Sequence, residues 1–355
     1  MLTGYERIHA ANKYLPNIPQ CCPNEVSEKA RRMNTPEFPY GSGDLENRRS
    51  STLLPEQAIQ VLTEIQGPEL VGEHPPINLP PASGDETEHT CHLLIAPHRA
   101  ARPVSAAGDL PTDDVISIES VFRRGQSYFL MAFLGVLFLL LANPYPYARD
   151  CSTFAFLERV EQAAVSRDPK RVRHLLRIML GLSRHCPHTV FGFNGLAGNS
   201  LKKAHFVSHR PADEIALYAA QQVAARLPSS LRSAAALIGP ALRYPVEIAR
   251  FGYADTDQCA NEAASFVSRL HIHHPSWTFN AAVAVEEYPV LYIAPRDPEL
   301  RPDGWPSQFG FMEIMGAGVV STSVLARMVL AGAFGRSDWD RAAGSLRLPS
   351  IESIM

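Results

Sequence analysis

The sequence lacks several features that would assign it to a specialised class of protein. Its 355 residues contain six cysteines, which are irregularly placed and form no C-x-x-C pair. This usage indicates reduced thiols rather than a disulfide framework. The formal net charge is −3, and such a near-neutral balance leads us to expect no nucleic-acid partner and no charged membrane surface as a partner.

We expect neither a secretory leader nor a membrane span. Residues 1–16 hold no apolar core of a secretory signal, so we expect a cytoplasmic protein. The most apolar run, Tyr128–Ala142, has about 15 residues, whereas a spanning helix needs about 20. We favour a buried helix end that leads into a buried strand, and a protein anchored to a membrane by 128–142 is the alternative.

The chain does have enough apolar material for a substantial core, since 46% of its residues are hydrophobic. Residues 1–110 differ from the rest because they hold 13 of the 29 prolines. We interpret them as a proline-rich N-terminal arm. One helix is predicted there from Pro55 to about Ile65, since proline suits the first turn, and the remainder is predicted to be extended or irregular.

Beyond the arm, the sequence predicts several regular elements. Asp168-Pro169 is a strong start signal for a helix that runs to about Arg184. Further helices are predicted over 211–227 and 255–270, and a strand is predicted over 244–251. The cluster His271–His274 suggests either a zinc site or a solvated connection between helix and strand, and we favour the connection.

The stretch Phe191–Arg210 is the one around which the chain is organised. An apolar run typical of a strand leads into Asn194–Ser200, a turn with two glycines and two asparagines, and a second strand is predicted over Ala204–Ser208. Backbone N–H groups in such a turn can hold phosphate oxygens, and the imidazole of His205 could attack phosphorus. A histidine between apolar neighbours is also typical of a structural residue, so both interpretations stand at this point.

This stretch resembles the signature of the histidine-triad superfamily, in the long-chain branch of galactose-1-phosphate uridylyltransferase, diadenosine tetraphosphate phosphorylase and the GDP-hexose phosphorylases. Their pattern is approximately F-N-G-x-G-A-S-x-x-H-x-H-x-Q, in which the second histidine is the nucleotidylated nucleophile. Phe193-Asn194-Gly195 matches its start, and His205 falls on the nucleophile. Lys203 stands at the first histidine, and Val207 stands at the glutamine.

Other segments resemble the same branch in the same order, from about residue 140 to about 325. Asn143–Phe154 is similar to an N-P-x-P-x-x-x-x-H-x-T motif with Cys151 at the histidine, and Glu161-Gln162 is similar to the end of an H-x-P-Q element. A predicted hairpin around 286–289 ends in Pro295-Arg296. Phe311–Gly316 resembles a G-x-x-E-x-x-G segment that contains Glu313.

The resemblance implies an α+β fold with tandem histidine-triad-like halves, each an antiparallel sheet with helices packed on one face. The halves would cover 111–215, which includes the His205 motif, and 216–355. Relatives of this branch are often dimeric, so a homodimer is a further expectation.

The resemblance also implies the site. His205 would be the nucleophile, and Lys203 would neutralise phosphate charge. The residues of the phosphate loop would be Asn194, Gly195, Gly198, Asn199 and Ser200. The secondary candidates for contacts or support are Asn143, Gln162, Arg296 and Glu313. Zinc-containing relatives hold the metal at positions that match Cys91, Leu94, Cys151 and Lys203 here. At most two soft ligands survive, and tetrahedral zinc needs four, so we expect no metal and no cofactor.

The implied function is a nucleotidyltransferase or phosphorylase that acts on a nucleotide sugar or dinucleotide through a nucleotidyl-histidine intermediate. The substrate would then be the chain's main partner. Val207 cannot donate the hydrogen bond that the family glutamine gives to phosphate, and such donors contribute about 10²–10³ in rate. The alternative is therefore a catalytically degenerate protein of this fold that binds a nucleotide or a protein partner.

Overall fold

The computed structural model describes residues 55–66, 75–81, 89–96, 99, 128–143, 146–148, 150–158, 160–197, 203–348 and 351–355. The predictions for 1–54 and for Gly198, Asn199 and Ser200 lie outside the described residues.

The strands within these ranges are β1 (Ile77–Leu79), β2 (Cys91–Ile95), β3 (Tyr128–Phe133), β4 (Val136–Ala142), β5 (Ser152–Phe156), β6 (Val190–Asn194), β7 (His205–His209), β8 (Ala235–Ile238), β9 (Ile248–Phe251), β10 (Thr278–Val285), β11 (Pro289–Arg296) and β12 (Ala317–Val320). The helices within them are α1 (Pro55–Gln66), α2 (Gln162–Arg167), α3 (Pro169–His185), α4 (Ala219–Ala224), α5 (Ser229–Arg232), α6 (Thr256–His273), α7 (Phe311–Ile314), α8 (Ser323–Leu330) and α9 (Arg336–Gly344).

In the described part of the chain, nine strands form one antiparallel sheet in the order β3-β4-β5-β7-β6-β10-β11-β9-β8. Outward from the junction between β6 and β10, the two sides of the sheet have the same strand order. On one side lie β4-β5-β7-β6, and on the other side lie β8-β9-β11-β10, each with a long helix between its second and third strand in sequence. This repeat confirms the prediction of an α+β fold with two antiparallel halves.

The two halves meet through a shared dipeptide. Phe193-Asn194 ends β6, and Phe279-Asn280 lies in β10, where Asn194 and Asn280 pair across the junction. The rings of Phe193 and Phe279 lie 5.4 Å apart on the other face. The pseudo-twofold relation between the halves therefore passes close to the Asn194–Asn280 pair.

The long helices α3 and α6 cover one face of this sheet, and each begins after an aspartate cap, of which Asp168 was predicted from the sequence. The Asp168 side chain accepts a hydrogen bond from Lys170 N, and Asp255 accepts from Asp257 N and Gln258 N. Their apolar faces bury phenylalanines of the sheet, among them Phe154, Phe191, Phe206 and Phe279. Helix α1 begins at Pro55, as predicted, and its buried residues pack in this layer.

A second layer covers the opposite face and includes part of the predicted N-terminal arm. Within the described ranges, β1 and β2 form a three-stranded sheet with β12, in which β2 and β12 run parallel. Short helices α4, α8 and α9 pack with it, and Trp339 is fully buried there. The arm therefore contributes two strands in addition to its helix, because residues 91–95 bury every side chain against the C-terminal strand.

The apolar run Tyr128–Ala142 forms a β-hairpin, so the expected helix end is wrong. Its turn is Leu134-Gly135, both with positive φ, and β3 and β4 pair along their whole length. Successive residues of β4 are buried on both faces of the sheet, which removes the polar alternation that identifies most strands. No helix in the described residues has the length and apolar character needed to cross a membrane.

Three other predictions require correction. The helix expected over 211–227 is confined to Ala219–Ala224, because Tyr218 adopts extended backbone and turns its ring towards His209. The strand expected over 244–251 begins at Ile248. His271 and His273 belong to the last turn of α6, and the His274 ring stacks on Trp277 at 3.6 Å. The described residues contain no group of three side chains placed to hold a metal.

Candidate active site

His205 begins β7 at the middle of the sheet. It pairs with Ala155 of β5 and shares a strand face with Val207 and His209, away from α3 and α6. The residue is half-buried. The imidazole therefore directly follows the end of the loop that connects β6 to β7, where the sequence predicts a phosphate site.

The imidazole has a defined tautomer. His205 Nδ1 lies 2.9 Å from the carbonyl oxygen of Lys203, and because a carbonyl can only accept, the ring proton resides on Nδ1. The lone pair then resides on Nε2, which is the atom a nucleophile requires. Lys203 itself is buried, and its backbone forms a bridge with Glu161. The Lys203 main chain thus orients the imidazole.

Gln162 connects the two ends of the loop. Its Oε1 accepts a hydrogen bond from His205 N at 2.9 Å, and its Nε2 donates to His205 O at 3.2 Å and also to Asn194 O. The side chain is 1% exposed. The partners of this amide in the described chain are all backbone groups, so it braces the strands and does not present its polar atoms to solvent.

Asn194 is the cross-strand neighbour of His205. The β6–β7 register pairs Gly192 with Val207, and two further residues along the strands Asn194 falls opposite His205. Asn194 Oδ1 accepts from Phe311 N at 2.8 Å, which fixes the orientation of the amide. The side chain is half-buried, and its amide has a fixed orientation on the strand face that His205 also uses.

The start of the loop is held by the second half. Gly195 N donates to Phe279 O at 3.0 Å and approaches Asn280 Oδ1 at 3.2 Å, and Leu196 N donates to Thr278 Oγ1 at 3.1 Å. A Cβ on Gly195 would lie 2.2 Å from Thr278 Oγ1 and 2.4 Å from Phe279 O. Glycine is needed here because the two backbones approach too closely for any side chain.

Arg296 and Glu313 support the site from behind. Arg296 NH1 donates to Phe309 O at 3.1 Å, and Glu313 Oε2 accepts from Gly310 N at 2.8 Å. Burial lowers the pKa of Arg296 to about 10 and raises the pKa of Glu313. Both groups therefore fix the segment that ends at Phe311, whose N–H holds Asn194.

Asn143 and Cys151 lie at the opposite end of the strands. Asn143 N donates to Cys151 O at 2.8 Å, just before Ser152 pairs with Ser208. Six residues of strand separate this level from Lys203, which is about 20 Å at the usual rise. Cys151 and Lys203 could not ligate one zinc ion, whose ligands all lie about 2 Å from the metal. Burial raises the pKa of the Cys151 thiol to about 11.

Sequence reasoning did not single out His209, which shares the strand face of His205 but lies at the far end of β7, at the level of Cys151. It is fully buried, its Nε2 lies 2.7 Å from Tyr218 OH, and its Nδ1 has no hydrogen-bond partner among the described residues. Burial lowers its pKa to about 3. The alternation of His205, Val207 and His209 along one strand is the signal that could have identified it.

Thr278 and Asn280 were also missed as parts of the site. Both are 1% exposed, and both hold the loop or the segment behind it. The repeated Phe-Asn dipeptide at 193–194 and 279–280 is a sequence signal for Asn280. Nothing local marks Thr278, because its partner is 82 residues away.

No protein-family profile and no curated protein sequence matches the chain. Solved structures do match. Yeast Ap4A phosphorylase Apa2 in complex with Ap4A gives a TM-score of 0.54 at 14% sequence identity, covering 82% of this chain and 98% of that chain. The same yeast protein in complex with AMP gives 0.53 at 13% identity, covering 82% and 96%. At such low identity the likeness shows a common fold.

Proposed function

We propose that the chain is a divergent member of the long-chain histidine-triad branch and transfers a nucleotidyl group through His205. The observation that carries the proposal is the hydrogen bond from His205 Nδ1 to Lys203 O, which in the neutral imidazole puts the lone pair on Nε2. The fold shared with yeast Ap4A phosphorylase supports a nucleotide sugar or a dinucleotide as the substrate class.

The reaction would proceed in two displacements at one phosphorus. Nε2 attacks the α-phosphorus, an N–P bond forms, and the P–O bond to the leaving group breaks. The leaving group is a sugar phosphate from a nucleotide sugar or a nucleoside polyphosphate from a dinucleotide. An acceptor oxygen, from phosphate, a sugar phosphate or water, then attacks the same phosphorus. The N–P bond breaks, and the electron pair returns to Nε2.

The surrounding groups would supply orientation and charge. The Lys203 carbonyl keeps the proton on Nδ1, so it stabilises the imidazole as its charge develops. The ammonium of Lys203 would offset phosphate charge, and Asn194, held by Phe311, would face the phosphate from the neighbouring strand. Gly195, Gly198, Asn199 and Ser200 remain the proposed residues of the phosphate loop. Asn143 would not touch the reacting phosphate, because it lies at the far end of the strands.

The test is intact-mass spectrometry of the purified chain mixed with a panel of nucleotide sugars and dinucleoside polyphosphates. We expect a mass gain of one nucleoside monophosphate with at least one donor, absent in His205→Ala. The matched control is His188→Ala, since His188 is exposed and distant in the fold. An adduct of equal yield in His205→Ala would contradict the mechanism.

A second candidate function is favoured by Val207. This residue occupies the strand face beside His205, is half-buried and packs against the apolar core. It can give no hydrogen bond to a phosphate oxygen, so binding without chemistry is the alternative. Thermal stabilisation by a nucleotide, with no adduct from any donor, would favour this function over catalysis.

A further inference from the structure

The geometry points to Gln162 as a positioning residue that closes the His205 loop, rather than as a residue that touches phosphate. This inference rests on the proposed function, since the loop it closes is the proposed phosphate loop. It follows from three hydrogen bonds and the register of β6 and β7.

The two strands separate where the loop begins. They pair from Val190–His209 to Gly192–Val207, and by continuation Asn194 and His205 face each other. At this level Gln162 bonds to the backbone of both residues, to Asn194 O and to His205 N and O. The amide thus replaces the direct strand-to-strand hydrogen bonds that the opening of the loop removes.

Gln162 also determines where the imidazole lies. His205 N and His205 O both bind the amide, so the backbone from which the side chain projects cannot rotate without breaking two hydrogen bonds. The side chain is 1% exposed at the start of α2, which packs against α3. The helix layer thereby holds the nucleophile from the side opposite to the substrate.

The chain contains a matched control for this arrangement. Gln222 makes the same pattern of bonds at another place. Its Oε1 accepts from Thr90 N at 2.8 Å, and its Nε2 donates to Leu217 O at 2.8 Å and to Thr90 O at 3.3 Å. These bonds join the segment before β2 to the start of α4, away from His205. Gln222→Met therefore removes the same number of backbone hydrogen bonds without touching the loop.

The first measurement is amide hydrogen exchange in the peptide that spans residues 194–206. We expect Gln162→Met to raise exchange there by about tenfold, since His205 N loses its acceptor. Gln222→Met should leave this peptide unchanged and raise exchange near Thr90. Equal protection of 194–206 in the wild type and Gln162→Met, with the fold intact, would overturn the inference.

The second measurement is the single-turnover rate of His205 nucleotidylation. We expect a fall of about 10²-fold in Gln162→Met with little change in nucleotide affinity, because misplacement of a reacting group acts on the rate. Gln222→Met should keep the wild-type rate. If both variants lose the same fraction of activity, Gln162 is merely structural and the inference is wrong. If the wild type forms no adduct, the proposed function fails, and hydrogen exchange still tests whether Gln162 holds the two ends of the loop.

A further variant keeps the test open if Gln162→Met does not fold. Gln162→Glu retains an acceptor for His205 N but sets a carboxylate against two carbonyl oxygens. We expect exchange in 194–206, relative to the intrinsic rate, to rise at neutral pH and to fall again in acid, where the protonated carboxyl regains a donor. The same protection at both pH values would overturn the inference.

Discussion

The two halves of the large sheet repeat the same strand order but differ in the connection between their last two strands. Residues 195–204 link β6 to β7, whereas residues 286–288 link β10 to β11. The paired Asn194 and Asn280 occur in both halves, but the residue opposite Asn280 is Ala294, where the first half has His205. The second half therefore repeats the scaffold without a histidine at this position and with a much shorter connection.

This difference indicates how the site depends on both halves. The second half provides Thr278 and Asn280, which hold the start of the loop, and Arg296, which fixes the segment before Phe311. The first half provides the imidazole and the loop itself. In the proposed mechanism, one half supports the loop and the other carries the reacting imidazole.

The largest effect is expected when the first half is made like the second at the nucleophile. His205→Ala gives the first half the same residue that the second half has at the equivalent position, Ala294. We expect turnover to fall by at least about 10³-fold, because no other side chain described near the loop places an imidazole of the same tautomer at this position. Steady-state kinetics with the donor identified by mass spectrometry is the measurement. Thermal unfolding within a few degrees of the wild type would show that the fold survives.

The next effect concerns the close approach between the halves. Ala281 follows Asn280 as Gly195 follows Asn194, so Gly195→Ala again makes the first half like the second. The new methyl group meets Thr278 Oγ1 and Phe279 O, and overpacking of this kind costs about 1–3 kcal/mol. Urea unfolding should show the loss. Gly344→Ala is the control, because a Cβ there meets nothing within 4 Å, and an equal or smaller loss at Gly195 would contradict the predicted clash.

A smaller effect is expected from Asn280→Ala. Its Oδ1 lies 3.2 Å from Gly195 N, and its Nδ2 donates to Phe309 O at 3.2 Å. Loss of a buried amide that holds two backbone groups costs about 1–3 kcal/mol, and Phe309 O keeps Arg296 as a second donor, which favours the lower part of that range. Denaturant unfolding measures the cost. A stability equal to that of the wild type would show that the junction does not depend on this side chain.

The last effect, small near neutral pH, is a change in the pH dependence of stability at His209. Burial lowers its pKa to about 3, so the folded state keeps the neutral imidazole. The stability that this group contributes is present above about pH 6.5 and is lost as pH falls towards 3, at up to about 1.4 kcal/mol per pH unit. His209→Gln should reduce the slope of unfolding free energy between pH 6.5 and 5 by about one proton. His92, His174 and His271, whose pKa values are also lowered by burial, would account for the remaining slope.

Much of the fold could be predicted from local signals. Asp168 and Asp255 mark the starts of the long helices α3 and α6. The apolar runs on either side of 286–288 indicate the hairpin of β10 and β11. The run Tyr128–Ala142 could not be assigned in this way, because a strand that is buried on both faces has no polar alternation. Its turn at Leu134-Gly135 is the local signal that was available.

The site was predicted in part for a similar reason. His205 and Lys203 are close in sequence, and the Lys203 carbonyl contacts the imidazole, whereas the amide of Asn194 is held by the distant Phe311. Asn143 is placed at the far end by the strand register, which no short motif encodes. The bonds of Gln162 to both ends of the loop, and of Thr278 to Leu196, depend on long-range packing and become visible only in the fold.

The central claim is that His205 carries the nucleotidyl group. Its most direct test is tandem mass spectrometry of peptides from the wild-type chain after brief exposure to a reactive donor. The mechanism predicts a nucleoside monophosphate on His205 Nε2, in the peptide that contains Lys203, and on no peptide from β10 or β11. An adduct on His209 or on a residue of the second half, with His205 unmodified, would contradict it.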